Sequence, residues 1–568
     1  MVARFLSAFL LVSGLWGQQS ANSTAVPPAP VSTATSPAVP QGLRIAGIVV
    51  NSLTGQPIAS AAVAISPSSQ GTDSGVAQSV VTGTDGRFLF TGLARGKYSL
   101  MARAHGYSLQ YFEHHDYYAT AIAVGPDLDT EHLVFRLEPD ALLEGDITDD
   151  NNEPIQYAMV RLFRTSTENG QQKTRPVNQA QTDDLGHYRM GHVAPGRYYL
   201  LVSARPWYAQ SSNGSRSSGN SEADALAAVD AAAIDVTYPV TFYPGTTDSA
   251  AATPLQITPG ERAGADVTLH AVPSLHLRIN TGSTENTVIG RMVFPQVSQR
   301  IFDGYMDSVF NAPVSWAGPG VMQISGLAPG RFIIEMPPST GLNDKGGSGR
   351  AWYREIDVTG DTEINAADGP SFANISGSIA FQDVQQAPAH ASLQLQNPET
   401  GEVFRTALSG KGEFDFNSDS VRPGRYLVSL ESNTFVLQKL SATGATVAGR
   451  MLDIAGAGAV HISGIASRGA AQVNGTAMHD DQPFSGAMIV LVPQDPVNNA
   501  PLFRRDQSDS DGTFTLPTVV PGNYTVIAIA NGWDLEWANP AVLQQYLTKG
   551  EKIQVPANGK LDVKIQVQ

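Results

Sequence analysis

The chain has 568 residues, 52 acidic against 36 basic side chains, a net charge of −16 at pH 7, and no cysteine. Such a length exceeds one core and calls for several domains of about 100 residues, while the charge balance disfavours nucleic-acid partners. The lack of cysteine excludes disulfides, thiol catalysis, thiolate metal sites and a lipid-modified N-terminal cysteine; in an exported multidomain protein it points to a bacterial source.

Taken in chain order, Met1 to Arg4 is a short basic start and Phe5 to Trp16 an apolar run, too short to span a bilayer. Residues 1–17 therefore read as a signal peptide cleaved after Gly17, with an uncleaved anchor as the alternative. Residues 18–42 form a Pro/Ala/Ser/Thr tract without periodicity, expected to be a disordered tether. No later stretch reaches the length of a membrane span, so the mature chain is expected to lack a transmembrane segment and to be periplasmic or secreted.

From residue 43 onward one hairpin returns five times: a turn ending in glycine, an alternating apolar strand, and a Pro-Gly-aromatic step into a second strand. Its copies begin at Thr84-Asp-Gly-Arg-Phe-Leu-Phe, Asp184-Leu-Gly-His-Tyr-Arg-Met, Gly318-Pro-Gly-Val-Met, Gly410-Lys-Gly-Glu-Phe-Asp-Phe and Ser510-Asp-Gly-Thr-Phe-Thr-Leu. The turn glycine and the second glycine are ten residues apart in four copies and twelve in the copy with Gly412 and Gly424. Opening strands precede them, with Gly47 and Gly145 separated by 98 residues, as are Gly377 and Gly475. The predicted modules are 43–139, 140–272 with an inserted loop 210–237, a divergent 273–369, 370–468 and 469–568. Short helices are expected near Ser221 to Ala233, where Ser221 and Asp224 match a capping box, and at Pro540 to Thr548, capped by Asn539.

Side chains two apart on a strand share a face, so Phe88 with Phe90, Phe414 with Phe416 and Phe514 with Leu516 should enter cores, while Arg87, Glu413 and Thr513 face water. The preceding glycine suits the left-handed position of a hairpin loop. A lone hairpin is unstable in water, so each repeat must close as two packed sheets. The fold class is all-β, a tandem array of five immunoglobulin-like sandwiches, read here as a string with short linkers.

The Gly-Xaa-Ile/Val opening, the Pro-Ile/Phe turn, the Asp-Gly-Xaa-Phe strand and the Pro-Gly-Xaa-Tyr step resemble carboxypeptidase regulatory-like domains, a transthyretin-like sandwich family related to collagen-adhesin B-type repeats and carbohydrate-binding-like folds. Modules one, two and five match this pattern well. Module four has a longer loop, and module three keeps mainly Gly320 and Leu327-Ala-Pro-Gly-Arg-Phe332. This resemblance implies a fold and an accessory role, not catalysis.

Chemistry-bearing motifs are scarce. His114-His115-Asp116 beside Glu113 lacks the converging ligands that zinc requires, and Asp506-Gln-Ser-Asp-Ser-Asp-Gly512 lacks the twelfth-position glutamate of a calcium loop; both read as polar turns. There is no nucleophile elbow or phosphate-binding glycine loop, and an enzyme would need a site in module three or the inserted loop. No catalytic residue, cofactor or metal is assigned. The residues with a functional flavour are rings after the hairpins, Tyr107, Trp207, Tyr208, Trp533 and Trp537, which either stack on a ligand or cap the cores. The expected function is a non-enzymatic envelope binding or scaffold protein with glycans or envelope proteins as partners. The alternative is a spacer or adhesion stalk, and an accessory part of a hydrolase or transport system ranks last.

Overall fold

The computed structural model describes residues 42–68, 77–115, 117–168, 171–209, 234–281, 294–302, 305–308, 312–336, 352–368, 372–416, 421–432, 435–469, 471–557 and 559–568. The signal peptide, nearly all of the tether and the Ser221 helix expected from sequence lie outside the described residues.

One pairing scheme builds the molecule. In each repeat the opening strand (Leu43–Asn51, Ala141–Thr148, Leu275–Asn280, Asn374–Phe381, Ala471–His479) runs antiparallel to the hairpin's first strand. The same opening strand runs parallel to the strand that closes the repeat, as Asn374–Phe381 does to Ala459–Arg468. The hairpin's second strand crosses to the opposing sheet, where it pairs with the repeat's second strand, as Gly96–Ala104 does with Ala62–Pro67. Apolar residues of the two sheets interdigitate as a core between the sheets of each repeat, and the fifth repeat has a second core on the outer face of one sheet.

The sequence signature has a physical cause at both glycines. The turn glycines Gly86, Gly186, Gly320, Gly412 and Gly512 all have φ between 70° and 79°, the left-handed region expected for them. The opening-strand Gly377 lies opposite Phe414, and a Cβ there would stand 2.0 Å from the Ile462 carbonyl oxygen and 2.7 Å from the Phe414 ring. Phe88, Phe90, Phe414, Phe416, Phe514 and Leu516 are buried and Arg87 and Glu413 exposed, as their alternation demands. Thr513 departs from it, since its hydroxyl accepts a hydrogen bond from Lys97 instead of facing water.

The Pro-Gly-Xaa-Tyr step is a hydrogen-bonded corner. The hydroxyls of Tyr98, Tyr198, Tyr426 and Tyr524 each donate to the carbonyl four residues earlier, at 3.1, 2.7, 2.7 and 2.8 Å. Burial pushes the Tyr524 phenol up to about 12, so it remains a donor. Phe332 occupies this place in the third repeat, without the hydroxyl. A second clip is made by buried hydroxyls: Thr82, Thr182 and Ser508 each donate to a carbonyl and accept an amide at the base of the hairpin. The helix Pro540–Leu547 forms where expected, its first turn capped by Asn539.

Residues 42–568 form one compact unit, which a string of separate beads would not. Phe163, Leu201 and Phe242 of the second repeat pack on Ile301 and Phe302 of the third. Arg422 of the fourth, only 11% exposed, donates from Nε to Glu335 of the third at 2.8 Å and lies over the Tyr353 ring. Leu427 and Met451 of the fourth meet Ala500 of the fifth.

Two variants separate these causes. Gly377→Ala should cost about 1–3 kcal/mol or more, because the backbone carbonyl it would strike cannot move away alone. Tyr426→Phe should cost about 1–3 kcal/mol by leaving the Arg422 carbonyl without its donor. Urea unfolding followed by hydrogen exchange in the fourth repeat checks both.

Candidate functional site

The fifth repeat returns to the first. Lys97 is the second residue of the strand Gly96–Ala104, and its ammonium forms an ion pair with Asp509, 412 residues away, and donates to the Thr513 hydroxyl at 2.6 Å. Asp509 also accepts the Ala121 amide at 2.9 Å, and the Ser510 hydroxyl accepts the Ala123 amide at 2.8 Å. The Ser510 amide donates to the Ala121 carbonyl at 3.0 Å. Gln507, 1% exposed, donates to the Glu113 carbonyl at 2.6 Å and the Thr120 hydroxyl at 2.8 Å, and its carbonyl oxygen lies 3.1 Å from His115 Nδ1.

Beside these polar contacts lies a stack of rings. His115 lies flat on Trp533, with centroids 4.8 Å apart and planes 7° apart. Arg505 lies over Tyr118 at 4.8 Å and over Trp537 at 4.6 Å. This clasp holds a cation, a buried amide and a carboxylate between two sandwiches, so each polar group must find its partner across the joint. Burial raises the Asp509 carboxyl against the pull of Lys97. Neighbouring Asp506 is pushed up to about 7, chiefly by burial and partly by the Asp509 charge, although it accepts the Thr515 and Gln507 amides.

The structure sorts the five rings named from sequence. Trp537 is 5% exposed and belongs to a core of the fifth repeat, so it caps instead of presenting a face. Trp533 is half-buried; its indole donates to the Gly486 carbonyl at 3.2 Å and one face is taken by His115. Tyr107 is half-buried against the first core, and its hydroxyl accepts from Asn51 at 2.7 Å. Trp207 is 87% exposed, with the half-buried Tyr208 edge-on to it at 5.7 Å. In the segment from Tyr238 to Tyr243, Tyr238 and Phe242 are buried.

Two segments read as polar turns gain a role from their surroundings. His115 is not simply part of an exposed loop, and the acidic turn before Gly512 spends Asp509 and Ser510 on the first repeat. Gln507 and Lys97 carried no signal in the sequence. A buried glutamine beside two turn acids becomes visible only once the strands are placed. Among the described residues no group of three or more histidine or acidic side chains is placed to hold a metal ion.

Between the clasp and the second repeat lies a cleft of about 790 Å³, lined by all three sandwiches and including Arg136, Arg164, Glu113 and Asp534. A smaller cavity of about 40 Å³ sits between the second and third repeats, beside Tyr238 and Phe332.

Fold and site together define a multidomain protein of immunoglobulin-like β-sandwiches. Residues 44–137 and 143–270 match the carboxypeptidase regulatory-like domain family. The Bacillus anthracis TIE protein is similar at 10% identity, with 90% of this chain and 69% of that chain covered and a TM-score of 0.15. The minor pilin GBS52 of Streptococcus agalactiae is similar at 12% identity, covering 40% of this chain and 96% of that one, with a TM-score of 0.21. BcpA, the major pilin subunit of Bacillus cereus, is similar at 10% identity, covering 75% and 99%, with a TM-score of 0.14. At these TM-scores none of them bears on function. A search of curated proteins returns no match.

Two predictions follow from the clasp geometry. Asp509→Ala strands Lys97 in a mostly buried site and should cost about 3–5 kcal/mol of closure; small-angle scattering should show a larger radius of gyration with unchanged circular dichroism. An unchanged radius would mean that the remaining junctions hold the body closed. For pH, the raised Asp506 carboxyl favours the folded state when protonated, so its contribution is present at low pH and lost as pH rises through about 7. Melting temperature of the wild type relative to Asp506→Asn should therefore fall between pH 5 and pH 8.

Proposed function

We propose that this is a non-enzymatic, exported binding and scaffold protein of the cell envelope, built from five sandwich domains with the boundaries set out above and held as one body, with carbohydrate as its ligand class. The observation that carries the ligand class is Trp207, whose ring is 87% exposed beside Tyr208 on a domain of the regulatory-like family. A flat ring left in water at a sandwich end is suited to stacking on a sugar face. The scaffold half of the reading is supported by Trp533, whose face is spent on His115 of another sandwich.

A second reading, a spacer with protein partners, is favoured by that same ring. The sandwiches then serve to position other envelope components, and Trp207 contacts a protein.

A glycan array of the chain from Gln18 onward decides between them. Binding that drops about tenfold in Trp207→Ala, equivalent to ~1.4 kcal/mol, supports the carbohydrate reading. Trp537→Ala should instead lower stability by about 3–5 kcal/mol, as truncating a buried aromatic does. No glycan retained by the wild type would hand the assignment to the spacer reading.

A further inference from the structure

We propose that the cleft between the first, second and fifth sandwiches is a second ligand site, one that takes a neutral polyhydroxylated chain, an oligosaccharide. The proposal rests on the carbohydrate reading above for its ligand class, but on separate residues. The cleft's volume of about 790 Å³ is within the roughly 300–1,000 Å³ of ligand sites.

Its chemistry narrows the occupant. Arg136 lies on the strand that closes the first sandwich, Leu133–Leu137, and Glu138 just past its end; Arg164 comes from the second sandwich, Asp534 from the fifth, and Glu113 from the clasp loop. Arg136, Glu138, Glu113 and Asp534 form no ion pair among the described residues. Two guanidinium groups against three carboxylates leave nearly balanced charge, which rewards neither a polyphosphate nor a strongly basic chain. Polar side chains share the lining with apolar ones such as Ile257 and Phe484. Carboxylates accept hydroxyl protons through two oxygens and guanidinium groups donate through paired N–H groups, the geometry that adjacent ring hydroxyls satisfy. Tyr111, 42% exposed, adds an aromatic surface at the wall.

The walls are also held in place before any ligand arrives. His115 and Trp533, both lining residues, are stacked on each other, and Gln507 fixes the loop that carries His115. Preorganised walls lose little conformational freedom on binding.

The test uses the Trp207→Ala protein, in which only the cleft remains, titrated calorimetrically with cellohexaose, xylohexaose, mannohexaose, laminarihexaose and chitohexaose. At least one should bind saturably, and adding Arg136→Ala with Asp534→Asn should weaken it at least tenfold. Both residues are exposed and outside the cores, so circular dichroism and melting should be unchanged; Glu138→Gln gives a shape-conserving third variant. Binding by wild type that vanishes in Trp207→Ala overturns the cleft and leaves the carbohydrate reading standing. Residual binding indifferent to the cleft variants does the same. Wild-type protein that binds none of the five, here and on the array, removes the carbohydrate reading and the cleft proposal together.

Discussion

The fold depends on a close approach at the middle of four of the opening strands. Gly47, Gly145, Gly377 and Gly475 sit directly opposite Phe88, Tyr188, Phe414 and Phe514. On the other side the closing strand comes so near that a Cβ would meet a backbone oxygen at 2.2, 2.3, 2.0 and 2.7 Å. The opening glycine and the aromatic of the hairpin are thus two halves of one contact, although about 40 residues separate them. The ring covers the surface that glycine lacks, and the absence of a side chain lets three strands draw together. The third repeat pairs Ile279 with Met322 in that region and has neither partner, a physical reason for its divergent sequence.

This contact explains why so much of the fold is legible in the residues. The glycine turns, the Phe88/Phe90 alternation and the Tyr98 corner are local, each fixed within a handful of positions. The cap at Asn539 is equally local. What could not be read is the return of the fifth repeat to the first, because identical residues do different work in equivalent places. Asp183 and Asp509 hold the same turn position. Asp183 is exposed and accepts amides of its own turn, at Leu185 and His187, while Asp509 is 6% exposed and accepts Ala121. Only the packed neighbour distinguishes them, and no spacing rule reports a neighbour nearly 400 residues away.

The rings teach the same lesson. Trp207 and Trp533 follow the same strand in their repeats and look alike in sequence, each beside a turn. One is left in solvent and the other is stacked on a histidine from a different sandwich. An aromatic at a sandwich end is therefore ambiguous until the arrangement of sandwiches is known, since it can serve a ligand or a junction with the same chemistry.

Clasp and cleft share residues, and that sharing has an energetic consequence. His115 and Trp533 belong to both, so a molecule touching the fifth-sandwich wall and the first-sandwich wall together binds only the closed body. At a hundredfold excess over its dissociation constant such a molecule adds about 2.7 kcal/mol to closure. Breaking the buried Lys97–Asp509 pair from one side removes about 3–5 kcal/mol. The two quantities are of similar size. Occupancy of the cleft can thus offset much of what a weakened clasp loses, but the intact clasp, with its ion pair, buried glutamine and ring stack, keeps the walls in place without it.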